Sequence, residues 1–425
     1  MIRQMAATLN KFEWLILLLL LGLLLFPTPI RGLLLLVVPL LWLVRWLATR
    51  QFVPPTPLNT IVFLLLLMVG VSLVATFDIN LSFPKIAGMV MGIALFYGAI
   101  NVMRLYRLGG WFVLAFVIAA GTGLALVGAV GTYWQPPFGF LNVLETAVPA
   151  PYRTIPETSG TVNLNELAGV LDWIVPLLLV LLAASWRHWP LWLRLPLLGV
   201  TGLLGGLLVA TLSRGGIAAC GLALLVVLAV RFRWGRWLLL EVAIAATIVF
   251  FYYNLDDLIL ASSQSADPLA LAGRLEIWSR ALYGIADFPF TGMSMNGFRR
   301  VVHILYPLFL IPPDTDIGHA HNHLLQAALD LGIPGLIAYL AIWVTSAALL
   351  WQSWRTAADK MTRFVALGLM GSLAAGWLFG MLDAIALGAR PGFIWWLLLA
   401  LVVGVHDAMR EKRPFLPLGQ PSKSG

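Results

Sequence analysis

The stretch FVALGLMGSLAAGWLFGML, residues 364–382, contains 19 consecutive residues without a charge. An α-helix of about 20 apolar residues crosses the hydrocarbon core of a bilayer, so this stretch predicts a transmembrane helix. Similar runs recur along the chain, which has 425 residues, 60% of them hydrophobic and 11% charged. Soluble globular domains carry about 25% charged residues. The sequence therefore predicts an all-α, polytopic integral membrane protein.

The hydropathy profile of the whole chain predicts about twelve membrane spans. They cover residues 14–30, 33–49, 59–77, 84–102, 109–130, 166–185, 191–212, 215–231, 236–254, 332–352, 363–384 and 391–408. The first span is short, but no small-residue cleavage site follows it, so we expect an uncleaved helix. Two outer loops are long, at about 131–165 and about 255–331. We expect one integral membrane domain at 1–412 and a short disordered tail at 413–425.

The placement of lysine and arginine predicts the orientation, because short cytoplasmic loops are enriched in both. With both termini in the cytoplasm, 18 of the 27 basic residues lie on the inner side, so the net charge of +8 marks topology and not nucleic-acid binding. Eight of the nine outward basic residues are arginines. The nine are Arg31, Lys85, Arg153, Arg214, Arg274, Arg280, Arg299, Arg300 and Arg390. Arginine matches phosphate oxygens with a planar fork, so this set predicts an anionic, phosphate-bearing ligand, with lipid headgroups or loop acids as the alternative.

The motif NLNELAG, residues 163–169, precedes the sixth predicted span. Asparagine is a preferred helix cap and an acid is favourable in the first turn. We therefore expect Asn165 to cap the helix that follows. For Asn163 two interpretations stay open, a structural role and a contact in a sugar-binding site at the membrane surface.

The motif TLSRGGIAA, residues 211–219, forms a tight outward turn between two predicted spans. Gly215 and Gly216 permit close approach of a ligand or another backbone, and a helix starts immediately after them. The amide groups of that helix and the side chain of Arg214 predict a phosphate-binding site. The structural alternative is an arginine that snorkels to the membrane surface.

In the large outer loop, apolar residues at 271, 275, 278, 282 and 285 follow a helical stripe and predict an amphipathic helix at the outer surface. Glu276 and Arg280 are four residues apart, which favours an ion pair between them. Arg274 has no acid three or four residues away, so it is the better candidate for a ligand contact. The turn DFPFTG, residues 287–292, predicts the end of this helix.

The stretch HAHNHLLQAALDLGIPG, residues 319–335, holds three of the six histidines of the chain. His319 and His323 share a helical face, but zinc takes three or four ligands, and no nearby cysteine or well-spaced carboxylate supplies them. We therefore expect no metal. His321 can accept a proton from a hydroxyl group, with a role at the helix start as the alternative. Gly332 permits close packing or a kink in the helix.

Upstream of the histidines, Asp314 and Asp316 form a D-x-D element similar to the metal motif of nucleotide-sugar transferases. Such a pair on its own is equally typical of a turn, and we interpret it in that way.

These motifs together resemble one known family. The His321–Asn322 pair and the Gly332–Gly335 segment nine residues after it resemble the signature of the bacterial O-antigen ligase and O-antigen polymerase family. Ser213–Gly215, the helix that carries Arg274 and the Asn163–Asn165 element resemble further landmarks of that family in the same order. The layout is also similar, with the large outer loop between spans nine and ten.

The resemblance implies a fold similar to that of the helical GT-C glycosyltransferases. It implies transfer of a glycan from undecaprenyl pyrophosphate to an acceptor hydroxyl group on the outer face of the inner membrane. In a ligase the acceptor is a lipid A core sugar, and in a polymerase it is another lipid-linked repeat unit. Leu336 stands where ligases often have threonine or valine, so the choice between the two activities stays open.

The resemblance and the residues together predict metal-independent, inverting chemistry without a cofactor. His321 is expected to be the base, and Arg214 and Arg274 are expected to stabilise the departing diphosphate. The residues expected to bind substrate are Asn322, Ser213, Gly215, Asn163, Asn165, Arg280 and His319. The expected partners are the lipid-linked donor, a lipid or sugar acceptor and membrane lipids, with no nucleic acid.

Other classes of membrane protein predict different patterns. A flippase or transporter places charged groups at mid-membrane, whereas we expect the predicted spans to be nearly free of buried charge, with Asp172, Glu241 and Asp383 as the exceptions. A lumenal transferase with an acid in its first outer loop is disfavoured, because that loop is PTPIRG. A lipid-linked peptidoglycan polymerase stays a close alternative, since its substrate is of similar type.

Overall fold

In the computed structural model, the described residues are 2–25, 31–143, 162–186, 189–252, 271–383, 385 and 387–417. This part of the chain is helical and contains no strand. The helices are α1 (Ile2–Lys11), α2 (Glu13–Leu25), α3 (Arg31–Leu35), α4 (Val37–Thr49), α5 (Asn59–Ala75), α6 (Ile79–Leu105), α7 (Gly109–Gly131), α8 (Leu164–Asp172), α9 (Val175–Ser185), α10 (Leu191–Ala210), α11 (Arg214–Arg231), α12 (Arg233–Tyr252), α13 (Leu271–Asp287), α14 (Gly297–Leu305), α15 (His323–Thr356), α16 (Lys360–Gly380) and α17 (Phe393–Arg410). Short 3-10 turns lie at Phe138–Asn142 and Arg390–Gly392.

Nine spans in the described residues are long and apolar enough to cross a membrane, and each corresponds to a predicted span. A tenth is obtained if α1 and α2, which meet at an angle of 56°, count as one broken span. The helix α5 is apolar but has only 17 residues. The predicted span at 236–254 corresponds to α12, which is not among the nine, and its end lies outside the described residues. The chain is thus a multi-pass helical membrane protein, and the predicted count of twelve exceeds these nine or ten spans.

The helix α17 forms the centre of the bundle. Its residues from Phe393 to Val405 are all apolar, and every side chain in this run is buried. A helix that is apolar on all sides is stable only when neighbours cover it completely. The helix α6 packs along it, with the backbone of Gly92 so close to the Trp396 ring that a Cβ atom at residue 92 would lie 2.1 Å from that ring.

A buried ion pair joins the N-terminal helices to this core. Glu13 of α2 accepts a hydrogen bond of 2.9 Å from Arg45 of α4 and one of 2.8 Å from Asn101 of α6. Both charged side chains are at most 5% exposed. Because an isolated charge inside a membrane protein is costly, the pairing explains how both residues are tolerated there.

Residues 271–322, called the cap here, lie between α12 and α15. The amphipathic helix predicted in this loop is confirmed as α13, which ends at Asp287 where the turn motif begins. The cap has its own apolar core, which includes Ile277, Phe298 and Leu329 of the adjoining helix α15. The cap therefore rests on the first part of α15.

The helix α15 is broken at Gly332, as the glycine and proline pattern predicted. Gly332 has a φ of 69°, a left-handed conformation that glycine adopts without steric cost. A Cβ atom there would also lie 2.5 Å from the carbonyl oxygen of Phe290. The break lets the cap approach α15 closely.

Part of the C-terminal tail packs against the bundle at the end opposite the cap. Phe415 is buried, and its backbone N–H donates to the Thr362 hydroxyl oxygen at 3.0 Å. Trp111 donates to the carbonyl oxygen of Pro417 at 3.2 Å. These first residues of the tail are held by contacts, contrary to the expected disorder, and residues 418–425 lie outside the described part of the chain.

Candidate functional site

The histidine segment turns sharply before α15 begins. His321 has a φ of 48°, a left-handed conformation that is strained for a histidine and is found at positions fixed by their surroundings. The next residue, Asn322, caps α15 by accepting hydrogen bonds from the backbone N–H groups of Leu324 and Leu325. Its side-chain amide donates to the carbonyl oxygen of Met381 at 3.2 Å. Asn322 thus fixes His321 relative to the chain that follows α16.

Asp383, in that following segment, lies at the centre of the polar cluster. His321 Nδ1 is 3.1 Å from Asp383 Oδ1, and His319 Nε2 is 3.5 Å from the same oxygen. His319 Nδ1 accepts a hydrogen bond of 3.1 Å from the backbone N–H of His321. These contacts assemble His319, His321 and Asp383 from two segments that are far apart in sequence.

Arg274 of α13 completes this cluster. Its Nη1 donates to the carbonyl oxygen of Leu382 at 2.8 Å, and its Nη2 lies 3.9 Å from Asp383 Oδ2. The sequence offers Arg274 no acid three or four residues away in its own helix, but folding places Asp383 beside it. The guanidinium group is therefore oriented by the segment that also orients His321.

The charges of the cluster follow from its surroundings. Burial alone would raise the pKa of Asp383, but the hydrogen bond from His321 and the nearby His319 and Arg274 lower it. Burial lowers the pKa of His319 to about 3, with the neighbouring His321 acting in the same direction. Asp383 is therefore ionised and His319 neutral at neutral pH.

These charges define the tautomer of His321. An ionised carboxylate can only accept hydrogen bonds, so the proton of a neutral His321 imidazole is assigned to Nδ1, which faces Asp383. The other ring nitrogen, Nε2, then carries the lone pair. This is the arrangement in which a carboxylate orients an imidazole for general-base chemistry.

The two asparagines at the start of α8 have different roles, and the role of Asn165 is not the predicted one. Asn163 is the cap of α8, since its side chain accepts from the backbone N–H of Asn165 at 2.8 Å. Asn165 instead accepts a hydrogen bond of 2.7 Å from the Ser213 hydroxyl group. The expected cap at Asn165 is wrong because the helix starts at Leu164, one residue before Asn165.

The Ser213 hydroxyl group links α8 to α11. It also accepts from the backbone N–H of Gly216 at 3.3 Å and so caps α11. A Cβ atom at residue 216 would lie 2.7 Å from the Ala168 side chain, so the close approach predicted here occurs at Gly216. A Cβ atom at Gly215 would meet no atom within 4 Å, so packing does not require glycine there.

Arg214, the first residue of α11, is exposed. Within the described residues it forms no hydrogen bond or ion pair, so its guanidinium group is available to a ligand. The Asn165–Ser213 hydrogen bond ties its backbone to the start of α8. Among the described residues, this arginine is thus a cation without a partner beside a capped helix N-terminus.

Arg280 has a structural position. It forms the predicted ion pair with Glu276 at 3.6 Å and donates from Nε to the carbonyl oxygen of Pro307 at 2.9 Å. Glu276 also accepts from the backbone N–H groups of Phe309 and Leu310. These contacts hold the cap together and do not bring Arg280 to the histidine cluster.

A cavity of about 310 Å³ adjoins the histidine cluster. His319 lines it together with the acid Glu166 of α8, and the apolar part of its wall includes Leu124 of α7 and Val170 of α8. The lining also includes Lys85, Arg299 and Arg390. The site is therefore an amphipathic cavity whose charged lining comes from the bundle and from the cap.

The donor atoms of His319, His321 and Asp383 lie within 4.8 Å of one another, close enough to consider a metal ion. The expectation of no metal rested on the absence of a nearby carboxylate, and Asp383 supplies one. However, the Arg274 guanidinium lies 3.9 Å from that carboxylate, and a second cation at this distance opposes binding of a divalent ion. The donor set therefore fits a metal poorly.

Sequence reasoning identified Arg274 and the histidines but did not assign Asp383 to the site. The sequence did contain an indication of its role, because Asp383 is an acid at the end of an apolar span. Only the packing of α16 against α15 shows that this acid meets His321.

The fold and the cluster define a class: a multi-pass helical membrane protein whose polar site lies between the helical bundle and the cap. The family model described as O-antigen ligase matches residues 198–340. This match confirms the family predicted from the sequence, so the chain carries an O-antigen ligase family domain. The matched segment contains Arg214, Arg274 and His321, whereas Asn165 and Asp383 lie outside it. No curated protein sequence matches the chain.

Proposed function

We propose that this protein transfers a glycan from undecaprenyl pyrophosphate to a hydroxyl group of a lipid acceptor, a lipid A core sugar, on the outer face of the bacterial inner membrane. Both termini would lie in the cytoplasm, and the bundle would follow the GT-C architecture with about twelve spans. The observation that carries the proposal is the His321–Asp383 contact of 3.1 Å beside the anchored Arg274. The family match supports the type of reaction.

His321 Nε2 is the proposed base in this reaction. As the acceptor oxygen forms its bond to the anomeric carbon, its proton passes to His321 Nε2. The bond from the anomeric carbon to the diphosphate oxygen breaks, and its electron pair leaves with the diphosphate. Attack from the side opposite the leaving group inverts the anomeric centre. Asp383 stabilises the imidazolium that forms, because its ionised carboxylate accepts a hydrogen bond from Nδ1–H.

Arg214 and Arg274 are the proposed partners of the departing diphosphate. Cations that are oriented before the reaction stabilise developing negative charge more effectively than mobile water does. Arg274 is held by Leu382 and Asp383, whereas Arg214 is exposed and has no partner in the described residues. Arg274 therefore supplies a positive charge in a fixed position. Arg214 supplies guanidinium N–H groups that can donate hydrogen bonds to phosphate oxygens.

A polymerase of the same family would use the same step with a second lipid-linked repeat unit as acceptor. Purified protein in liposomes, supplied with a lipid-linked glycan and either acceptor, distinguishes the two activities by the mass of the product. Transfer to the core glycolipid supports the ligase. Extension of the lipid-linked glycan supports the polymerase, and a His321→Ala protein that keeps full activity with both acceptors contradicts the proposed mechanism.

A further inference from the structure

The cavity beside His319 carries cations that the proposed transfer step does not use. Lys85 of α6, Arg299 of α14 and Arg390 line it, and Glu166 is the acid in its wall. The lining includes neither of the two arginines assigned to the donor diphosphate. These cations therefore form a second positively charged set next to the histidine pair.

Lys85 is the most informative member of this set. Its Nζ is buried and forms no hydrogen bond within the described residues. The carboxylates of Asp330 in α15 and of Glu166 attract this charge, but neither accepts a hydrogen bond from Lys85 within the described residues, and Asp330 Oδ1 accepts from the backbone N–H of Asn296 and from Gln326 Nε2. A buried ammonium group without a hydrogen-bond partner is costly, so the position favours a ligand that accepts hydrogen bonds from Lys85.

The backbone holds Arg390 near Lys85 through two glycines. A Cβ atom at Gly88 of α6 would lie 2.1 Å from the carbonyl oxygen of Gly388. Gly388 has a φ of 76°, and a Cβ atom there would lie 1.9 Å from the carbonyl oxygen of Lys85. This close approach fixes the loop of Arg390 against the helix of Lys85.

The positive charge of Arg299 is less available to a ligand than that of Lys85. It forms an ion pair with Asp316 of the cap, and both side chains are substantially exposed. The anion-binding capacity of the wall therefore rests mainly on Lys85, with Arg390 beside it.

We propose that this cavity binds an anionic substituent, a phosphate or a carboxylate, carried by the acceptor glycolipid. The inference rests on the proposed function. The acceptor must present its hydroxyl group to His321, and the cavity is lined by His319, whose ring lies 4.4 Å from that of His321. Its apolar walls at Leu124 and Val170 suit the lipid-facing part of such a molecule.

A binding measurement on the detergent-solubilised full-length protein tests this subsite. The probes are a phosphorylated core glycolipid, the same glycolipid after phosphatase treatment, and undecaprenyl diphosphate without sugar. The wild-type protein should bind the phosphorylated glycolipid about tenfold more tightly than its treated counterpart. Lys85→Gln should abolish this preference, and Lys85→Arg should retain most of it. Arg300→Gln is the matched control, because Arg300 is exposed and adjacent to Arg299 but does not line the cavity.

Two results would overturn the inference. In the first, Lys85→Gln binds both glycolipids as the wild-type protein does. In the second, Lys85→Gln weakens only the binding of undecaprenyl diphosphate, which would assign the anion to the donor. If thermal unfolding shows that Lys85→Gln is misfolded, Arg390→Gln takes its place with the same expected loss of preference. A wild-type protein that prefers the phosphorylated glycolipid but transfers no glycan would support the cavity and contradict the transferase proposal.

Discussion

Replacement of Asp383 by asparagine tests how the carboxylate acts on His321. Asp383 Oδ1 lies 3.1 Å from His321 Nδ1, and Asp383 Oδ2 lies 3.9 Å from Arg274. In Asp383→Asn, the amide nitrogen can donate to Nδ1 and so favours the tautomer with the proton on Nε2. That atom could then no longer accept a proton from the acceptor hydroxyl group.

The expected loss follows from this role. General-base catalysis contributes about 10²–10⁴-fold to a rate, which corresponds to about 3–5 kcal/mol of transition-state stabilisation. We therefore expect kcat of Asp383→Asn to fall by about 10²–10⁴-fold. The KM for the donor should change little, because Arg274 remains anchored by its 2.8 Å hydrogen bond to Leu382.

The assay is initial-rate transfer in liposomes with a defined lipid-linked donor and a saturating acceptor. Asp314→Asn is the control, because Asp314 is an exposed acid of the cap that forms no hydrogen bond or ion pair to the described residues. It should behave as the wild-type protein does. A kcat for Asp383→Asn within about fivefold of wild type, far less than general-base catalysis contributes, would refute the reasoning.

Three further predictions concern ligand binding and stability. Arg214→Ala should have the thermal unfolding midpoint of the wild-type protein, because Arg214 is exposed and forms no hydrogen bond or ion pair with the described residues. The same variant should raise the KM for the donor by about tenfold or more, measured by initial rates. Gly388→Ala should lower the thermal unfolding midpoint, because the φ of residue 388 is 76° and a Cβ atom there would overlap the backbone of α6. The backbone strain costs about 1–3 kcal/mol. An unchanged midpoint would contradict this prediction. Gly202→Ala, which meets open space, is its control. Glu13→Gln should destabilise the protein by about 3–5 kcal/mol in thermal unfolding, since Arg45 would lose its buried counter-charge, and a neutral result would show that the pair is dispensable.

Local sequence patterns predicted the parts of the structure that depend on neighbours along the chain. Glu276 and Arg280 form the expected pair because four residues span one helical turn. Gly332 breaks α15, as a glycine two residues before a proline predicts. Nine of the predicted spans correspond to spans of the described structure, because about 20 apolar residues have few alternatives in a bilayer.

Features that depend on the packing of distant segments could not be predicted in this way. Asp383 is 62 residues from His321, and only the fold brings them together. Lys85 and Arg390 share a cavity because two glycines allow α6 and a later loop to meet. The helix cap was predicted at Asn165 but lies at Asn163, because the start of a helix is uncertain by one or two residues from sequence alone.

Transfer by metal-depleted protein is the most direct measurement of whether Arg214 and Arg274 take the place of a divalent ion. The wild-type protein, dialysed against EDTA and assayed in liposomes, should transfer glycan at its full rate, and added manganese should give no increase. Loss of transfer after EDTA, with recovery on addition of manganese, would contradict the account. It would instead assign His319, His321 and Asp383, whose donor atoms lie within 4.8 Å of one another, to a catalytic metal.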